Sequence, residues 1–308
     1  MSRPGAPSGS GWTRRRLLGT AVTASAAFLV GGLELVDHRV LPGKHYLDEI
    51  DGTCSVHVPK ETFAVSGPTA SGRFFSLARR REVGYTIAYP PGHRPGDRLP
   101  LVLYLHAHGG NHRSALGSVP PARALAGNGI SAFAIAVFDG GNLYWNPHPG
   151  DDPMGMIVDE IIPMCRRHGL GTEPGMIAAV GESMGGYGAI LLAERHPSLL
   201  AAVAAISPAI WTSYAQAVHV DRSAFASVQD FARDDVITHA GTLAHVPLRI
   251  ASGSNDPFHP GVVALARRLG PSSTVEITSG CHDTGFFNSQ QQRSLQFISR
   301  HLKAPSPA

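Results

Sequence analysis

"VGESMGGYGA", Val180–Ala189, carries Ser183 between two glycines in the pattern Gly181-Glu182-Ser183-Met184-Gly185. The apolar run "MIAAVGES" (Met176–Ser183) leads into it, and "GGYGAILLAERHP" (Gly185–Pro197) follows with helical composition. A strand, a sharp turn and a helix in that order would leave the serine oxygen exposed at the bend. The glycines two residues either side remove side chains that would collide where strand and helix nearly touch. The N-terminus of the helix offers partial positive charge and unpaired N–H groups to a developing oxyanion. The stretch therefore predicts a nucleophilic serine at Ser183.

Serine is a weak nucleophile at neutral pH and needs a base, and the base needs an orienting acid. "ASGSNDPF" puts Asp256 just past the apolar run "VPLRIASG" (Val246–Gly253). "TSGCHDTGFF" puts His282 just past "TVEITSG" (Thr274–Gly280). Loops at the C-terminal ends of parallel strands share one edge of a sheet, so Ser183, Asp256 and His282 can meet there. Asp283 is too close to His282 in sequence to orient it well, and Glu276 lies inside a strand. His259 and His245 are the rival bases.

A serine mechanism also needs a second N–H donor from the loop after an earlier central strand. "LVLYLHAHGGNH" offers that strand and that loop: His106 ends the strand, and His108-Gly109-Gly110 makes the turn. The expected oxyanion donors are the backbone N–H groups of Met184 and His108, with Gly110 as the alternative to His108. The H-x-H spacing also suits zinc. The stretch lacks the aspartate of an H-x-H-x-D-H metal site, however, and a serine mechanism accounts for the loop without a metal. No metal and no cofactor is expected.

Working outward, apolar runs bounded by Gly and Pro alternate with helical patterns. "VGYTIAYPPG" (Val83–Gly92), "LPLVLYLHA" (Leu99–Ala107), "SAFAIAVFDGG" (Ser131–Gly141) and "LAAVAAISP" (Leu200–Pro208) join the three strands already named. "MIVDEIIPMCRRHG" (Met156–Gly169), "GVVALARRLG" (Gly261–Gly270) and "QQQRSLQFISRHL" (Gln290–Leu302) read as helices, with Pro163 marking a kink or a helix start. The alternation predicts an α/β fold with a mostly parallel central sheet and helices on both faces. The segment Ile210–His245 breaks the rhythm and reads as a cap, a pocket wall or a packed helix pair.

The 308 residues are 43% hydrophobic and 16% charged, which suits a globular chain with one large core. The net charge of +3 is local. Arg3, Arg14, Arg15 and Arg16 precede the first acidic residue, Glu34, and without them 22 basic residues face 23 acidic ones. No basic stripe follows, which argues against a nucleic-acid partner. The three cysteines, Cys54, Cys165 and Cys281, form no C-x-x-C pair. Cys54 could pair with either of the others.

"TRRRLLGTAVTASAAFLVGG", from Thr13, joins an arginine cluster to an uncharged, mostly apolar run. Arg14-Arg15-Arg16-Leu17-Leu18 resembles a twin-arginine export signal. A membrane anchor is the other reading, since Leu17–Val36 is nearly long enough to span a bilayer. Residues 1–40 are expected to be that signal or anchor. Residues 41–303 would then form one catalytic domain outside the cytoplasm, with membrane association through the leading segment if it is retained.

The ordered set "LHAHGG", "GESMGGYGA", "ISPAIW", "SGSNDPF" and "GCHDTGFF" resembles the esterase D-like branch of the α/β-hydrolase fold, over roughly Arg73 to Leu302. That branch includes S-formylglutathione hydrolases and the mycolyltransferases of the antigen 85 complex. This chain has Ala107 where many relatives have glycine, and Asp256 where the mycolyltransferases have glutamate. "NLYWNPHPGDDPMGMIVDEIIP" is similar to exported actinobacterial members. It implies Tyr144 and Trp145 near the pocket, with a packing role as the other reading, and Trp211 of the Ile210–His245 segment is a further pocket candidate. The resemblance implies a serine esterase that cleaves small-molecule or lipid carboxylic esters through an acyl-enzyme. An acyltransferase on cell-envelope glycolipids and a catalytically silent surface binding protein are the alternatives. Oligomeric state is left open.

Overall fold

The computed structural model describes Cys54, residues 67–114 and residues 132–306; the expected export segment, residues 1–40, lies outside them. The strands are β1 (Thr69–Ser76), β2 (Arg81–Ala88), β3 (Leu101–Leu105), β4 (Ala134–Phe138), β5 (Ile177–Glu182), β6 (Val203–Ile206), β7 (Leu248–Gly253) and β8 (Ser273–Thr278). They form one sheet in the order β1-β2-β4-β3-β5-β6-β7-β8. The six strands from β4 to β8 are mutually parallel, and β2 runs antiparallel to both β1 and β4.

The strands β3, β4, β5, β6 and β7 are buried along their whole length, as their mostly apolar runs require, with Arg249 of β7 buried among Ser294, Gln290 and Glu276. Alternate residues serve opposite faces. Ile177 and Ala179 join one core with Leu101, Leu103 and the helix after Ser183, while Ala178 and Val180 join a second core with Val102, Tyr104, Leu295 and Ile298. The helices are α1 (Pro153–Gly155, a π turn Met156–Ile161, then Ile162–Arg167), α2 (Met184–Arg195), α3 (Tyr214–Val220), α4 (Val228–Arg233), α5 (His259–Ala266) and α6 (Thr284–His301). The helices α2 and α6 cover the two faces of the sheet. Among the described residues, no helix is long and apolar enough to cross a membrane.

Three differences from the sequence reading have physical causes. Strand β1 has no apolar run to announce it, because at the sheet edge its residues are mostly exposed or half-buried. Pro163 starts the last α segment of α1, Ile162–Arg167, at its second position, rather than α1 as a whole. It follows the π turn, where the Ile162 N–H reaches back to the Ile157 carbonyl, so the ladder changes register just before the residue that cannot donate. Helix α6 begins six residues ahead of Gln290. Asp283 caps it by accepting the Phe286 N–H at 2.8 Å, although Thr284 and Gly285 are poor helix formers.

Candidate active site

The strand register brings several C-terminal ends level. Leu105 of β3 pairs with Gly181 of β5, Glu182 with Ile206 of β6, and Gly253 of β7 with Thr278 of β8. The loops carrying His108, Ser183, Asp256 and His282 therefore leave the sheet along one edge.

Ser183 sits between β5 and α2 at φ 53° and ψ −118°, a conformation that non-glycine residues rarely adopt. The turn is held from behind: the Ser183 N–H donates to the Ile206 carbonyl at 2.9 Å, and its carbonyl accepts from Tyr187 and Ala209. The flanking glycines are required by contact. A Cβ on Gly185 would lie 1.9 Å from the Leu105 carbonyl oxygen, and one on Gly181 would lie 2.1 Å from the Gly185 carbonyl oxygen. Met184 opens α2, where N–H groups lack intrahelical partners.

Ser183 Oγ lies 2.8 Å from His282 Nε2, and His282 Nδ1 lies 2.9 Å from Asp256 Oδ2. Asp256 is fully buried, and its other oxygen accepts the Phe258 N–H at 2.7 Å. The rival residues are elsewhere. Asp283 is the α6 cap, Glu276 is held by Arg249 at 2.8 Å, His245 is exposed, and the His259 imidazole does not enter this chain of bonds. Cys281, next to His282, is joined to Cys54 by a disulfide, and Cys165 is free and buried. Burial pushes the Cys165 thiol up to about 12, so it is unreactive.

The three histidines that follow β3 have three different partners. His106 Nε2 accepts the Gly140 N–H at 2.9 Å, and its Nδ1 lies 2.8 Å from the Ala107 carbonyl oxygen. The exposed His108 ring faces Asp221 at 3.6 Å. The His112 N–H and Nδ1 each lie 2.8 Å from Asp139 Oδ1. The Gly109 N–H donates to Asn142 Oδ1 at 2.8 Å, and the Gly110 N–H to the Ala107 carbonyl at 2.9 Å. The segment after β4, residues 139–142, thus fastens the loop after β3 at three points. Sequence reasoning missed Asp139 and Asn142. The signal was the polar, glycine-rich "FDGGN" following a buried strand.

Of the expected pocket residues, Trp145 is corrected. It is wholly buried, edge-on to His106 at 5.0 Å and to Phe138 at 5.5 Å, and its Nε1 donates to the His106 carbonyl at 3.2 Å. It buttresses the loop from inside and has no surface for a substrate. Tyr144 and Trp211 are grouped, with ring centroids 6.0 Å apart. Trp211 meets Phe258 at 4.6 Å, and Phe258 and Phe287 flank His282 at 5.0 and 5.1 Å. Burial, then the nearby Asp221 carboxylate, raises the Tyr144 phenol well above its usual range. The segment Ile210–His245 contributes Trp211 and Asp221 to this cluster. It also packs Phe225 against Tyr187 of α2, with Phe231 behind it.

A family model named Esterase, described as "Putative esterase", matches residues 76–260, well over half of the chain. The chain belongs to this esterase family. Carboxylic ester hydrolysis is the reaction class that comes with it. The esterase shares its fold with a ferulic acid esterase (17% identity over 78% of this chain and 100% of that one, TM-score 0.67). An S-formylglutathione hydrolase from Agrobacterium tumefaciens is also similar (16%, covering 79% and 98%, TM-score 0.62). So is Mycobacterium tuberculosis MPT51 (18%, covering 77% and 100%, TM-score 0.59). A comparison with curated proteins finds no match.

Proposed function

We propose that this esterase is an exported serine hydrolase that cleaves carboxylic esters through an acyl-enzyme. The observation that carries the reading is the unbroken chain Ser183 Oγ, His282 and buried Asp256, at 2.8 and 2.9 Å. Ser183 Oγ attacks the ester carbonyl carbon and gives its proton to His282 Nε2. Asp256 orients the imidazole and stabilises the imidazolium. The carbonyl electrons move onto oxygen, which accepts from the Met184 and His108 N–H groups. Collapse breaks the bond to the alcohol, which leaves with the proton from His282. Water then repeats the sequence and releases the acid. His108 is preferred to Gly110 as donor because the Gly110 N–H already donates to the Ala107 carbonyl, as the Gly109 N–H does to Asn142 Oδ1.

The rings of Tyr144, Trp211, Phe258 and Phe287 beside His282 support packing on flat or apolar parts of a small ester. Two features support export: the arginine cluster with its apolar run, and the Cys54–Cys281 disulfide, which persists in oxidising compartments. Residues 1–40 act in this reading as the signal or as a membrane anchor.

The test is hydrolysis of p-nitrophenyl esters from acetyl to palmitoyl by wild type and Ser183→Ala, with EDTA in a parallel set. Serine-dependent, EDTA-resistant turnover is expected, with labelling of Ser183 by a fluorophosphonate. Activity retained in Ser183→Ala would overturn the mechanism. A folded wild type that is labelled yet hydrolyses none of the esters, but acylates an added sugar acceptor, would make the enzyme a transferase.

A further inference from the structure

The proposed mechanism needs the His108 N–H to point at the oxyanion, and the loop that carries it follows a strand end. We infer that His106 is the positioning residue of the oxyanion hole: its Nδ1–H holds the Ala107 carbonyl and thereby aims the His108 N–H. This rests on the serine-esterase reading and adds a residue to it.

The tautomer follows from the partners. His106 Nε2 accepts the Gly140 N–H at 2.9 Å, so that nitrogen carries no proton. A neutral imidazole then has its one proton on Nδ1, which lies 2.8 Å from the Ala107 oxygen. His106 is 1% exposed, and burial pushes its pKa down, which keeps the ring neutral.

The Ala107 carbonyl and the His108 N–H belong to one peptide unit. In a planar trans peptide they point in opposite directions. Two donors converge on the Ala107 oxygen, His106 Nδ1–H at 2.8 Å and Gly110 N–H at 2.9 Å. They fix the direction of that carbonyl and, with it, the opposite direction of the His108 N–H. Hydrogen bonds to the oxygen also polarise the peptide and make its N–H a better donor. The ring itself cannot swing. Trp145 packs edge-on against it at 5.0 Å and donates to the His106 carbonyl, while Gly140 holds its far nitrogen.

A residue that merely fills the core would give a different mutational pattern. In His106→Asn the amide nitrogen can take the place of Nδ1 and keep the bond to Ala107, losing the acceptor for Gly140. In His106→Gln the amide oxygen can take the place of Nε2 and keep Gly140, losing the bond to Ala107. With p-nitrophenyl acetate, His106→Gln is expected to lose about 100-fold in kcat with KM changed less than about threefold. His106→Asn should stay within about tenfold of wild-type kcat. Inhibition by a phenylboronic acid, which mimics the tetrahedral state, should weaken in parallel with kcat.

A folded His106→Gln with wild-type kcat, or His106→Asn as slow as His106→Gln, would overturn the inference. Should neither variant fold, imidazole nitrogen shifts in the wild-type protein decide: an Nδ1–H tautomer is required, and an Nε2–H or doubly protonated His106 refutes it. Ser183→Ala runs alongside. Activity there sinks the serine-esterase reading. An inactive Ser183→Ala beside an unimpaired His106→Gln sinks only the role of His106.

Discussion

The carboxylate of Asp256 is fully buried and divides its oxygens between two donors, His282 Nδ1 at 2.9 Å and the Phe258 N–H at 2.7 Å. The backbone bond fixes the carboxylate plane, so the imidazole is held in the orientation that presents Nε2 to Ser183. Asp256→Asn keeps the shape but can place an amide donor against Nδ1, favouring the wrong tautomer. We expect kcat to fall by about 10³–10⁴-fold with little change in Tm. Steady-state kinetics with a thermal melt checks this, and a kcat within tenfold of wild type contradicts it.

The close approach at the serine turn is tested by glycine. Gly185→Ala would put a methyl 1.9 Å from the Leu105 carbonyl oxygen, and backbone atoms there cannot step aside. The cost should exceed about 3 kcal/mol, at the severe end of single substitutions. Gly270→Ala, with nothing within 4 Å of the added carbon, is the control and should leave the urea midpoint near wild type.

Glu182 precedes the serine but points to the other face, into the neighbourhood of Tyr104 and α6. Its carboxyl accepts from Gln291 Nε2 at 2.8 Å and is 5% exposed. Burial raises its pKa above the usual carboxylate range, with the Gln291 bond opposing. An acid raised in the folded state contributes stability that is fully present below its unfolded pKa, about 4.3. That stability is lost as pH rises through the folded value. Glu182→Gln removes the ionisation. Its Tm should exceed that of wild type at pH 8, and the difference should vanish near pH 4. An advantage for wild type at pH 8 would contradict the burial argument.

The Cys54–Cys281 bridge anchors the residue next to His282. Removing it with Cys54→Ser and Cys281→Ser together should cost about 2–5 kcal/mol of stability. Because the loop it pins carries His282, kcat should fall as well, at temperatures where the variant is still folded. Denaturation with and without reductant, beside initial rates, tests both parts. Unchanged rates in the folded variant would make the bridge purely structural.

Much of this site was legible because Ser183 and Asp256 lie at the ends of strands that bury both faces. The edge strand β8 has no buried residue, yet it still shows Val275 and Ile277 in alternation before His282. β3, β5 and β7 announce themselves as apolar runs, and Ser183, Asp256 and His282 lie just beyond the ends of β5, β7 and β8. Strand β1 was illegible because an edge strand with mostly exposed or half-buried side chains needs no apolar pattern. The role of Trp145, pocket or packing, was open because an aromatic residue near a glycine-rich loop reads the same whether it faces inward or outward. Only packing against His106 and Phe138 decides that. The beginning of α6 was hidden by Thr284 and Gly285, weak helix formers that the Asp283 cap compensates.

The bridge also has a topological consequence. Cys54 precedes β1 and Cys281 follows β8, so all eight strands lie on one covalent circle. A peptide bond cut anywhere inside that circle opens it without dividing the molecule until a thiol is added. Ser183 and Asp256 ride on the circle, whereas His282 is the first residue beyond it. A cut between Cys281 and His282 would therefore leave the base and α6 held by noncovalent contacts alone, with the nucleophile and the acid on an intact ring.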